Sequence, residues 1–152
     1  MNSRHLCLVI FLGFLLMGCG PSQAASVPPS TAPLNASAED LEAIEQTALD
    51  YVEGWYQGDA ERMERSLHSD MVKRIIRKDR VDTLNEEEMV NYTELNSGKG
   101  LAGQMKNIVT ILDVYDNIAT VKVDSVGYID YLHVGKVNGK WEIINVLWAV
   151  KQ

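Results

Sequence analysis

The sequence predicts an α+β domain, with helices gathered on one face of an antiparallel sheet. Three observations predict it. Apolar residues recur at helical spacing in the first part of the domain: Leu41, Ile44, Ala48, Tyr51, Val52 and Trp55. From Asn107 onward the apolar period switches to two. Two dipeptides, Asp116-Asn117 and Asn138-Gly139, interrupt runs rich in Val, Ile and Tyr. Each reads as a two-residue hairpin turn.

A chain of 152 residues is expected to fold as one domain, once its N-terminus is set aside. Arg4 and His5 precede an apolar run from Leu6 to Met17, too short for an ordinary membrane span. We read residues 1–18 as a signal peptide. Leu16-Met17-Gly18-Cys19 is similar to a bacterial lipobox, which would make Cys19 the lipidated first residue of the mature chain. Gly20 after Cys19 is the pattern of lipoproteins sorted to the outer membrane, facing the periplasm. The alternative is ordinary cleavage after Ser22-Gln23-Ala24, giving a soluble periplasmic or secreted protein. Residues 19–37 are mostly Pro, Ser, Ala and Thr and form a flexible tether. The domain proper is 38–152.

Ser37 is placed to cap the first helix, with Glu39 and Asp40 in its first turn, and Gly58 to end it. Asp59 caps a short second helix that turns Met63 and Leu67 inward, with His68-Ser69-Asp70 as its exit. Met71 to Ile76 and Arg80 to Leu84 form a short strand pair across Lys78-Asp79. Asn85 and Glu88 make a capping box for a third helix carrying Met89, Val90 and Leu95. Four long strands complete the sheet. The Asp116-Asn117 turn puts Ile108, Thr110, Leu112, Val114, Ala119, Val121, Val123 and Ser125 on one face. In the last hairpin, uninterrupted pairing sets Lys136 opposite Trp141 and Asp130 opposite Leu147. Tyr128, Asp130, Leu132, Trp141, Ile143, Asn145 and Leu147 then share a face, and Tyr131, His133, Val146 and Trp148 share the other.

The formal charge is −7, which argues against nucleic acid as a partner, because phosphate binding needs clustered cations. The one basic cluster, Lys73, Arg74, Arg77, Lys78 and Arg80, reads first as a charged strand edge that blocks aggregation. A site for an anionic ligand is the lesser reading. The only cysteines are Cys7 and Cys19, so the mature domain has no disulfide and no nucleophilic thiol. The three histidines lack ligand spacing, and no metal or cofactor is expected.

The segments Tyr51-Val52-Glu53-Gly54-Trp55-Tyr56-Gln57-Gly58-Asp59, His68-Ser69-Asp70, Asp130-Tyr131-Leu132-His133 and Gly139-Lys140-Trp141-Glu142-Ile143-Ile144-Asn145 carry a resemblance. Together they resemble the family named "putative lumazine-binding", of the nuclear transport factor 2-like superfamily that includes ketosteroid isomerase and the SnoaL-like polyketide cyclases. The resemblance runs from Leu41 to the end. It implies a cone: a curved sheet of four long strands plus a short pair, wrapped by three N-terminal helices, with a pocket at the open end. It also implies a homodimer through the sheet face. No stretch matches the isomerase's catalytic motif, so no catalytic role carries over.

Asp130 is the leading site candidate, as a carboxylate among apolar neighbours. Burial would raise its pKa and suit it to general-base work, with Asn145 diagonally opposite to orient a ligand. The plainer reading is a buried Asp satisfied by its surroundings. His68, with Asp70, is a second catalytic candidate, against the plainer reading of a helix-end His beside a turn. Tyr51, Trp55 and Tyr128 could stack on a flat ligand, although aromatics at helical spacing are more often core. Tyr131, His133 and Trp148 read as a dimer surface. Three functions stay open: binding of a small apolar or aromatic molecule, a cofactor-free isomerase, dehydratase or cyclase using Asp130, and a protein-interaction module.

Overall fold

The computed structural model describes residues 36–104 and 106–152. The signal run, Cys19 and the tether up to residue 35 lie outside the described residues. Among the described residues, no helix is long and apolar enough to cross a membrane.

Helix α1 (Ala38–Gln57) begins where Ser37 Oγ accepts the Asp40 N–H at 3.1 Å and ends at Gly58, whose φ of 72° is the left-handed turn that glycine tolerates. Its inner stripe, Ile44, Ala48, Tyr51, Val52 and Tyr56, is buried. Each of the larger side chains contributes about 1.5–3 kcal/mol by leaving water. Helix α2 (Ala60–Ser66) is capped by Asp59, which accepts the Arg62 N–H at 3.0 Å. An ionic clamp joins the two helices. Asp50 of α1 accepts from Arg62 Nε at 3.0 Å and Arg65 Nε at 2.8 Å. Burial pushes the Asp50 carboxyl up, but the bonds from Arg65, Arg62 and Gln46 together outweigh it and hold the carboxyl below its ordinary range.

Strands β1 (Leu67–Arg77) and β2 (Arg80–Asn85) form the expected hairpin, with Lys78 at φ 56° in the turn. Helix α3 (Glu86–Glu94) opens with the expected Asn85–Glu88 capping box. A 3-10 turn over Lys99–Gln104 leads into β3 (Ile108–Tyr115), β4 (Ile118–Asp124), β5 (Tyr128–Val137) and β6 (Lys140–Val150). The six strands make one sheet in the order β2-β1-β6-β5-β4-β3. The expectation of a wholly antiparallel sheet is corrected at one seam, where β1 and β6 run parallel. After β2 the chain crosses by α3 to the far edge, and the meander from β3 returns β6 to the middle beside β1.

The two long hairpins keep their expected turns but not their uninterrupted registers. Val137 faces Lys140 and Lys136 faces Trp141, as expected. Ile144 then has no partner on β5, and Asn145 pairs with His133. This bulge reverses the alternation of β6 beyond it. Asp130 therefore faces Trp148, not Leu147. Val146 and Trp148 turn inward, and Asn145 and Leu147 turn outward. On β3 the register shifts between Ile111 and Asp113. Val109 and Ile111 replace Ile108, Thr110 and Leu112 on the inner face, while Val114, Ala119, Val121 and Val123 remain inside as expected.

Candidate functional site

The inner face of the sheet meets α1 and α3 around a cavity of about 120 Å³. Five aromatic residues line it: Tyr51, Trp55 and Tyr56 of α1, Tyr128 of β5 and Trp148 of β6. Tyr51 and Trp55 are four apart, so one helical face carries both. Tyr128 and Trp148 meet edge to face, with centroids 5.3 Å apart. Met89 and Leu84 add apolar wall, and Tyr56 donates its hydroxyl to Ser125 Oγ, also in the lining, at 2.9 Å.

Asp130 lines this cavity and is 3 % exposed. Its Oδ1 accepts the Tyr51 hydroxyl at 2.9 Å and Lys73 Nζ at 3.0 Å. Lys73 Nζ also donates to the Tyr51 oxygen, which closes a three-membered polar network. The ammonium stands 5.0 Å from the Tyr51 ring centroid and 4.7 Å from that of Trp148, within cation–π range of both. Among the described residues, none donates to Asp130 Oδ2. Burial, reinforced by the Asp130 charge, pushes the Tyr51 phenol well above its ordinary pKa. Tyr51 therefore acts as a neutral donor. Burial likewise raises Tyr128.

The structure gathers four of the sequence-predicted site residues, Asp130, Tyr51, Trp55 and Tyr128, around one cavity. It separates two others from it. Asn145 lies on the outer face because of the bulge at Ile144. There it accepts from Arg74 and stands 3.4 Å from His133 Nδ1. His68 lies in β1 where that strand bulges: His68 to Met71 stand between the pairs Leu67–Ile143 and Val72–Asn145. Its Nδ1 accepts the Asp70 N–H at 3.1 Å, a local turn with no link to Asp130.

Sequence reasoning missed two members of the site. Uninterrupted pairing puts Trp148 on the outer face, whereas the bulge pairs it with Asp130. The basic run reads as a solvated strand edge, yet Lys73 within it is 8 % exposed. The signal for Lys73 was present. In a strand from Met71 to Ile76, alternate residues Met71, Lys73 and Ile75 share a face, and all three are buried. The remaining cations of that cluster are outside, with Arg77 and Arg80 both paired to Asp82. Among the described residues, no three His, Cys, Asp or Glu side chains gather as a metal site.

Helices packed against one face of a curved six-stranded sheet, around an aromatic cavity, define a nuclear transport factor 2-like domain. The structure is similar to an NTF-2 like protein of unknown function from Silicibacter pomeroyi (16% identity, 76% of this chain and 99% of that one, TM-score 0.62). It is also similar to one from Methylobacillus flagellatus (18% identity, 78% and 98%, TM-score 0.63) and to a ketosteroid isomerase-like protein from Erwinia carotovora atroseptica (13% identity, 76% and 99%, TM-score 0.56). At these identities the likeness shows the fold. The family described as "Putative lumazine-binding" matches residues 39–149, and the chain belongs to that family. No curated protein matches the chain.

Proposed function

We propose that the domain binds a small aromatic molecule in its inner cavity. One observation carries this reading: a cavity lined by five aromatic side chains is left open beside a buried carboxylate–ammonium pair. Its volume of about 120 Å³ lies somewhat below the roughly 150 Å³ of a cavity that accommodates benzene, which limits a ligand to one ring. The family's name points to a fused-ring heterocycle, which would need Trp55 or Trp148 to move aside.

The test is native mass spectrometry of the protein purified gently from its host. A co-purifying small molecule would establish the binding role and name its class. Its absence from repeated gentle preparations, together with no uptake of added single-ring aromatics, would sink the reading.

A second reading is a cofactor-free enzyme of the isomerase, dehydratase or cyclase kind. The observation that favours it is Asp130 Oδ2, a carboxylate oxygen with no donor among the described residues, on a residue that lines the cavity. For assembly, the outer sheet face supports a homodimer, since Ile118, Tyr131 and Leu147 are exposed there. The lipobox-like Cys19 and the tether support an outer-membrane lipoprotein, with ordinary signal cleavage as the alternative.

A further inference from the structure

We propose that the cavity selects a neutral single-ring aromatic molecule carrying an O–H or N–H group, and that this group donates to Asp130 Oδ2. The proposal rests on the aromatic-binding reading above and adds to it the polarity of the ligand.

Three observations lead there. The first is the division of labour between the two carboxylate oxygens. Oδ1 takes both internal donors, Tyr51 at 2.9 Å and Lys73 at 3.0 Å. Among the described residues, no group donates to Oδ2, although the side chain is 4 % exposed. Oδ2 is not among the buried unpartnered atoms of the described residues, so it keeps a little accessible surface. A ligand that covers it without donating leaves it dehydrated and unpaired, and one that supplies a donor is favoured.

The second observation is charge balance. Lys73 and Asp130 already form a pair of zero net charge. Lys73 Nζ occupies the cation–π position between Tyr51 and Trp148 that a cationic ligand would need. An anionic ligand would face Oδ2 directly. A neutral ligand avoids both penalties.

The third observation is shape. The walls Trp55, Tyr128 and Trp148 are flat, and the volume of about 120 Å³ limits the ligand to one ring. An unsubstituted apolar ring would fill the space and leave Oδ2 both dehydrated and unpaired. Sites built to hydrogen-bond a ligand hydroxyl reject the analogue that lacks it for this reason.

The test compares phenol with toluene, which replaces the hydroxyl by a methyl of similar size. Each is titrated by calorimetry into the purified full-length protein. Phenol is expected to bind at least about ten-fold more tightly, as a net hydrogen bond to a charged acceptor provides. In Asp130→Asn, checked for folding by circular dichroism, the preference should fall to less than about three-fold. The wild-type comparison stands alone if that variant does not fold. Equal binding of phenol and toluene would overturn the inference while leaving the aromatic-binding reading intact. Binding of neither would overturn both.

Discussion

Lys73 of β1 and Asp130 of β5 meet inside the domain, Nζ to Oδ1 at 3.0 Å, with β6 running between their strands. Both side chains are nearly inaccessible to water, and each removes the unpaired charge that the other would otherwise bury. Removing one partner is strongly destabilising for that reason, whereas removing both together costs much less.

Lys73→Met should therefore lower stability by about 3–5 kcal/mol, and Asp130→Leu by a similar amount. The double variant should be markedly more stable than the sum of the two losses implies. Urea denaturation of the four proteins checks this as a double-mutant cycle. Simple additivity would show that the pair is not coupled.

Acid stability should depend on Asp40. Bonds from Lys136, Trp141 and Ser37 lower its pKa from 3.8 to about 2. A folded pKa below the unfolded one stabilises the protein above the unfolded value, and the contribution is lost as pH falls toward about 2. Melting temperature should thus drop across that window. Asp40→Asn should flatten the drop, leaving the smaller contributions of Asp50 and Asp124, whose pKa values are also lowered. A wild-type slope in Asp40→Asn would count against this assignment.

The opposite sign holds for Tyr51. Its pKa is raised well above 10.0, so the unfolded chain ionises first and stability falls as pH rises past that value. Tyr51→Phe should weaken this alkaline loss, read from phenolate absorbance and circular dichroism together.

The bulge at Ile144 predicts a reversal between neighbours. Val146 is fully buried and Leu147 is 44 % exposed on the outer face. Val146→Asp should unfold the domain, because it buries an unpaired charge. Leu147→Asp should fold but disrupt the proposed dimer. Circular dichroism and sedimentation distinguish these outcomes, and uninterrupted pairing would exchange them.

Gly98 braces one cavity wall. A Cβ there would stand 2.5 Å from both Nε1 and the backbone oxygen of Trp55. Gly98→Ala should cost about 1–3 kcal/mol and shift Trp fluorescence, because the backbone contact cannot simply rotate away. An unchanged unfolding midpoint would show that the wall has slack.

Much of this architecture is local in origin and was therefore legible in the chain. The caps at Ser37, Asp59 and Asn85, the turn at Gly58 and the three hairpin turns each depend on a few adjacent residues. So does the inward stripe of α1 that carries Tyr51 beside the sheet. The family resemblance, read from the segments around Tyr51, Asp130 and Trp141, already implied the fold and a pocket.

What tertiary structure decided was the final membership of the site. A bulge depends on how two strands fit, not on the residues of one strand, and a single unpaired Ile144 exchanges every side chain that follows between the two faces. That exchange brought Trp148 into the cavity and sent Asn145 out. Lys73 is the complementary case. Its alternation with Met71 and Ile75 was visible, but a lysine becomes an interior residue only where a distant partner compensates its charge. Asp130 lies 57 residues further along the chain, and only the folded sheet brings the two together.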